Sequence, residues 1–323
     1  MKSYYFKFAL VLIASAGLAL TSCKKGTTAI DDSISAQDAN AVTNVVHSTS
    51  DDAAAAAGQV SSYKSLGLGA NWNTASSNLL IGATITDTSS TGIVISYDSV
   101  TPCNGIVRSG TITITNTGGI PWHQQNAELT ITYNLTATEQ ISGYTYTLTG
   151  SHTVLNETGG LAWQVAAGLV PSTLTPTTTV THRIQSSNMK ITFPNGTQRT
   201  WTVDRTRSWN YSSAGSSSIV TVSVYSEHAG GVAEQGTNRF GDAFSNTFTS
   251  TVSANNNTCE KWRPYTGEWQ HQVSTRTATV LFGTNITGTQ VGTPTYCGSL
   301  GNYGYYIHYT NGSTTRTRFV SYW

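Results

Sequence analysis

The chain has 323 residues, 17 Lys and Arg against 16 Asp and Glu, a formal net charge of +1 and only 10% charged residues; an ordinary globular protein carries ~25%. No run of Lys or Arg forms a stripe, so binding to nucleic acid has nothing to rest on. The missing charge is replaced by Thr, Ser, Asn and Gly, which suits solvated strand faces and turns.

In chain order, Lys2 and Lys7 flank the start of an apolar run from Phe8 to Leu20 that is short for a membrane span, so residues 1–22 read as a secretory signal. It ends in Leu20-Thr21-Ser22-Cys23, which resembles the bacterial lipobox. That resemblance implies diacylglyceryl attachment at Cys23, cleavage before it, and a mature protein tethered to a membrane without spanning it. Lys24 and Lys25 stand where an inner-membrane retention signal would place aspartate, so the expected address is the outer membrane, facing the periplasm or the surface.

Residues 23–65 are expected to form a lipidated tether and a helical segment. Ile30, Ile34, Ala41, Val42, Val45 and Val46 recur at helical spacing behind Asp31 and Asp32. Ser48-Thr49-Ser50-Asp51-Asp52 then offers caps for a second short turn over Ala53 to Ala57, with Gly58 as its stop. The apolar side of such a helix has only the sheet to pack on.

Helical periodicity then gives way to alternation, as in Leu129, Ile131, Tyr133 and Leu135, in Val220, Val222 and Val224, and in Tyr303, Tyr305, Ile307 and Tyr309. Asn195-Gly196 and Asn311-Gly312 mark hairpin tips, and Gly110, Gly150, Gly267 and Gly283 allow bends or bulges within strands. Residues 66–323 therefore read as a single large antiparallel β domain. The fold class is all-β, a meander of roughly ten or more strands, curled or half-barrel-like, with a short N-terminal helical segment. Residues 158–178 interrupt it as a long connection or a short helix covering one end of the sheet.

Candidate ligand residues centre on Trp201, Arg205, Arg207 and Trp209, which alternation puts on one face with Val203 while Asp204 lies on the other. Such a face serves either as structural cation–π packing or as a ligand platform. Trp262, Trp269, Tyr303, Tyr305 and Tyr306 extend the aromatic inventory, and aromatic faces stack on sugars without needing charge. Arg205 and Arg207 need cross-strand acids, carbonyls, water or a ligand.

Beyond the N-terminal segment the aspartates are Asp87, Asp98, Asp204 and Asp242, few for a hydrolase. Glu268 and Asp204 are the carboxylates a glycan-active enzyme would use, and neighbours such as Glu227 and His228 point to opposite faces of a strand. His152 shares the parity of Tyr146 and Leu148 and reads as a core residue. No cofactor or metal is expected, since zinc-ligand spacings are missing. Of the remaining cysteines, Cys259 and Cys297 are the preferred disulfide; pairings with Cys103 stay open.

Taken with the lipobox, the stretches Cys103-Asn104-Gly105, Arg108-Ser109-Gly110-Thr111-Ile112, Gly150-Ser151-His152-Thr153-Val154, Asn195-Gly196 through Trp209, and Cys259 before Trp262 are similar to uncharacterised Bacteroidetes cell-envelope lipoproteins. The resemblance implies secretion and an all-β body and brings no activity. The expected function is a lipid-anchored, non-enzymatic binding or structural module of the envelope, with membrane as partner and a glycan as candidate ligand. Its rivals are a lipid or lipoprotein carrier with an apolar concave sheet face, and a glycan-active enzyme.

Overall fold

The computed structural model describes residues 32–65, 80–88, 92–103, 105–140, 143–214, 217–225, 231–255, 263–291, 302–311 and 314–322. Their alternating sequences pair as one 14-stranded antiparallel sheet. The strands are β1 (Ala83–Thr88), β2 (Ile93–Cys103), β3 (Ile106–Thr117), β4 (Ala127–Glu139), β5 (Thr145–Asn156), β6 (Thr179–Thr192), β7 (Gln198–Ala214) and β8 (Ser217–Tyr225). They continue as β9 (Val232–Thr237), β10 (Ala243–Asn255), β11 (Thr266–Val273), β12 (Arg276–Asn285), β13 (Tyr303–Asn311) and β14 (Thr314–Ser321). Each strand pairs with its neighbour in sequence, except that β8 and β9 lie end to end between β7 and β10. Thr206 to Ala214 of β7 pair with β8 and Thr200 to Val203 with β9, which closes a small ring of pairings.

A helix, α1 (Asp32–Ser65), occupies the inside of this curl. Over residues 32–58 its side chains are buried or half-buried all round, including the buried Val42, Val45, Val46 and the run Ala53 to Ala57. It bonds to residues of β2, β3, β4, β5, β7, β11 and β12. Alanine suits an element enclosed by a sheet, because a one-carbon side chain lets the strands approach from all sides. Facing it, Ile93, Ile114 and Ile131 form one cross-strand row and Ile95, Ile112 and Tyr133 the next. The outward positions of β3 and β4 carry Thr113, Thr115, Thr132 and Asn134.

The structure corrects the helical reading in extent. Ser48 to Asp52 do not break the helix, because Thr49 and Ser50 hydroxyls bond back to the carbonyls of Val45 and Val46 and outward to Tyr133 and His152. Gly58 lies within α1 as a close-approach site, where an added Cβ would stand 2.8 Å from Leu161 Cδ2. Nor does the expected boundary after residue 65 divide folding units, since Asp32 to Trp323 form one compact unit with α1 as its filling. Among the described residues no helix is long and apolar enough to cross a membrane.

The interruption at 158–178 contains a short helix, α2 (Ala162–Ala166), whose Val165 packs with Val180, Trp209 and Val222. Of the mid-strand glycines, Gly283 is the most constrained: its φ is +70° and a Cβ would meet Tyr265 O at 1.9 Å. It sits at the register shift between Phe282 and Thr284. Gly283→Ala is therefore expected to lower stability by roughly 3 kcal/mol, read as a lower urea midpoint at unchanged m-value.

Candidate functional site

On β7 the alternation holds: Trp201, Val203, Arg205, Arg207 and Trp209 all point inward, while Thr202, Asp204 and Ser208 face outward. Asp204 accepts hydrogen bonds from both Nε and NH2 of Arg183 and from Gln185, so it belongs to the outer surface. Glu268 is likewise outside, accepting from Thr249 Oγ1, and His271 of the same strand is buried on the other face.

The arginines meet α1 and β9. Arg205 NH1 donates to Glu234 Oε1 at 2.7 Å and to Thr43 Oγ1 at 3.2 Å. The other oxygen of Glu234 accepts from Asn246 Nδ2 at 2.8 Å and lies 3.7 Å from Arg199 NH2. Arg207 NH1 donates to Asp51 Oδ1 at 2.6 Å. Three guanidiniums, of Arg199, Arg205 and Arg207, thus face two carboxylates, of Glu234 and Asp51. Arg199 is fully enclosed and lies 3.8 Å above the Phe244 ring, and burial brings its pKa down to about 10 against the pull of Glu234 and Asp38. Burial also lowers the pKa of Arg205, with Glu234 opposing. His47 is held well below its ordinary pKa by burial and by Arg205 and Arg207, so its ring is neutral.

Between these groups and the far side of the sheet lies a cavity of about 80 Å³. Asn40, Thr43, Asn44 and His47 of α1, with Arg205, Arg207 and Glu234, form its polar side; Phe248, Val252, Trp269 and Phe282 form its apolar side. His47 Nε2, Arg205 Nε and NH2, and Arg207 Nε have no hydrogen-bond partner among the described residues. Asn40, Asn44 and His47 also border a second space of about 80 Å³ beside Cys103 and Tyr322. Asn40 and Asn44 border a third, of about 250 Å³, beside Glu139 and Arg318. The three run along one polar stripe of the helix.

The structure thus brings together three of the expected ligand residues, Arg205, Arg207 and Trp269, at one space. Trp201 and Trp209 are separate, the latter packed 4.7 Å from His182 and under Arg207 at 4.6 Å. Tyr303 and Tyr305 pack with Tyr322 in a buried aromatic cluster, and burial raises the pKa of Tyr303 to about 12. Tyr306 donates to Ile286 O. Of the two uses open to this face, structural cation–π packing is the one seen, with Arg199 over Trp201 and Arg207 over Trp209, and a solvent-facing platform is not: Trp201, Trp209, Trp269, Tyr303 and Tyr305 are at most 5% exposed, because the face they share is the one that encloses α1. The concave face expected of a lipid carrier is likewise filled by that helix.

Trp262, the lipidation residue Cys23, the disulfide candidates Cys259 and Cys297, and Glu227 with His228 lie outside the described residues. Cys103 is bonded to no other cysteine among the described residues. His152 is a core residue, its Nε2 3.0 Å from Ser50 Oγ and its ring stacked on Tyr133.

Sequence reasoning missed His47, Glu234 and the helix aspartates as partners of the strand arginines. A signal existed: aspartates crowd into residues 31–52 while arginines are spread through the strands. In the fold Asp32 binds Arg276, Asp38 binds Arg239, Asp51 binds Arg207 and Asp52 binds Arg108. Among the described residues no three His, Cys, Asp or Glu side chains converge as a metal ion would require. Compared with known proteins, the chain matches no family model, no curated protein and no solved structure.

Proposed function

We infer that the chain is a lipid-anchored, non-enzymatic binding module of the cell envelope, held at the outer membrane through Cys23 and akin to the Bacteroidetes envelope lipoproteins it resembles. The observation that carries the binding part is the convergence of Arg205, Arg207, His47 and Trp269 on one space beside α1. The ion pairs on either side of that space hold its titratable groups in fixed charge states, which suits recognition better than proton transfer.

Burial of the aromatics moves the ligand away from polysaccharide. Of the six described rings expected to stack on a sugar, Trp201, Trp209, Trp269, Tyr303 and Tyr305 are out of reach of solvent, and the sixth, Tyr306, is half-buried between His308 and Phe319; a space of about 80 Å³ is also well below the ~300 Å³ at which pockets for larger ligands begin.

The anchor is tested by fractionation of cells grown with radiolabelled palmitate. The intact chain is expected to carry label and sediment with outer membranes, and Cys23→Ser to lose the label and leave the membrane fraction. A Cys23→Ser variant that still sediments with membranes removes the anchor from the reading.

A further inference from the structure

We propose that the cavity between α1 and strands β7, β10, β11 and β12 binds a short-chain carboxylate, its charged end at Arg205 and Arg207 and its apolar end against Trp269, Phe282 and Val252. The proposal rests on the reading of this space as a binding site and adds the ligand's chemistry.

Charge comes first. Arg199, behind the cavity wall, and Arg205, on it, share the single carboxylate of Glu234, while Arg207 pairs with the partly exposed Asp51, so the three guanidiniums outnumber their two carboxylates by one. An isolated buried charge is costly, and an anion at this place offsets it. The donors are also present: Arg205 Nε and NH2 and Arg207 Nε have no partner among the described residues, and the Arg205 side chain is only 1% exposed. Arg205, through Nε and NH2, and Arg207, through Nε, can share one planar carboxylate, whose two oxygens accept several N–H donors.

Shape selects among anions. Opposite the arginines the wall is aromatic and aliphatic, which a bare inorganic ion cannot use and a short hydrocarbon tail can. A volume of about 80 Å³ holds about three water-sized groups, the scale of a carboxylate with one to three further carbons. The neighbouring spaces along Asn40 and Asn44 would take a slightly longer tail.

The test uses the lipidated full chain in non-ionic detergent at fixed ionic strength, with thermal unfolding measured against butyrate, the isosteric neutral butyramide, and chloride. Butyrate at tenfold its dissociation constant is expected to raise Tm by about 3 °C, in a saturable way, while butyramide and chloride leave Tm unchanged. Arg207→Gln leaves behind only the partly exposed Asp51, so that variant is expected to fold and to lose the butyrate shift. Ala254→Leu, which fills the cavity from the apolar side, is expected to lose it too. An equal shift with butyramide or with chloride overturns the carboxylate assignment and leaves the space as a binding site. No shift with any probe overturns both, and a butyrate shift that survives in Arg207→Gln and Ala254→Leu places binding elsewhere and overturns the proposal.

Discussion

Glu234→Leu is expected to cost about 3–5 kcal/mol of folding stability, a large share of the ~5–15 kcal/mol that holds a domain together. Glu234 is itself 4% exposed and takes hydrogen bonds from Arg205, Asn246 and Thr43, with Arg199 at 3.7 Å. Removing it leaves two guanidiniums in the interior with no carboxylate in contact. The penalty is the stranded charge rather than the worth of a contact. Two companions separate these ideas. In Arg205→Leu/Glu234→Leu one of the stranded charges has gone as well, so the double variant is expected to be more stable than Glu234→Leu alone. Asp204→Ala acts on the outer face, removing the pair with Arg183, whose members are 42% and 25% exposed, and the exposed hydrogen bond from Gln185, and should cost at most ~1 kcal/mol. Urea unfolding followed by fluorescence of the buried Trp201 and Trp209 measures all three. A Glu234→Leu variant within about 1 kcal/mol of the parent would falsify the view that this cluster is electrostatically strained.

The parity of β7 was legible because alternation is a local property: whichever face is inside, Trp201, Arg205 and Arg207 share it. Which face is inside was not legible. A row of arginine and tryptophan reads the same whether it looks at solvent or at a helix, and the helix that decides the matter lies more than 150 positions away, at Asp51 for Arg207. The same distance hid the continuity of α1. Ser48 to Asp52 carry the residue types of a cap, and in an isolated segment their side chains compete with the helix. Here Thr49 meets Tyr133, Ser50 meets His152, and Asp52 meets Tyr97 and Arg108, so the side chains are occupied and the backbone runs on. Antiparallel architecture, the curl and the bend-permitting glycines followed from turn chemistry and period alone. The closure of the sheet around a helix required charge complementarity between elements remote in sequence, visible only as aspartates in one segment and arginines in another.

That interior also predicts unfolding in mild acid. Burial lowers the pKa of His152 and His182 from 6.5 to about 3, with Arg205 and Arg207 adding to it respectively, and His47 and His271 are displaced well below 6.5 for the same reasons. A histidine with a depressed folded pKa is protonated first in the unfolded chain, so its contribution is intact above 6.5 and is lost as pH falls toward 3. At pH 5 the loss is about 2 kcal/mol for each of His152 and His182. Asp52 works the other way: burial raises its pKa from 3.8 to about 6 despite Arg108 and Tyr97, so the folded state takes up that proton first and gains stability as pH falls through 6. Its gain at pH 5 is about 1.4 kcal/mol, and burial shifts Asp38 and Asp51 in the same direction. The histidines win, since two of them alone outweigh Asp52 and His47 and His271 add to their side. Near-ultraviolet circular dichroism is therefore expected to show cooperative loss of tertiary signal between about pH 6 and pH 4. His182 lies 4.9 Å from Trp122 and 4.7 Å from Trp209, and its Nε2 has no partner among the described residues. His182→Phe keeps the aromatic packing and removes one titrating group, so its acid midpoint should move to lower pH. A parent protein that keeps its full near-ultraviolet spectrum at pH 4, or a His182→Phe midpoint identical to the parent's, would mean that these rings are solvated rather than enclosed.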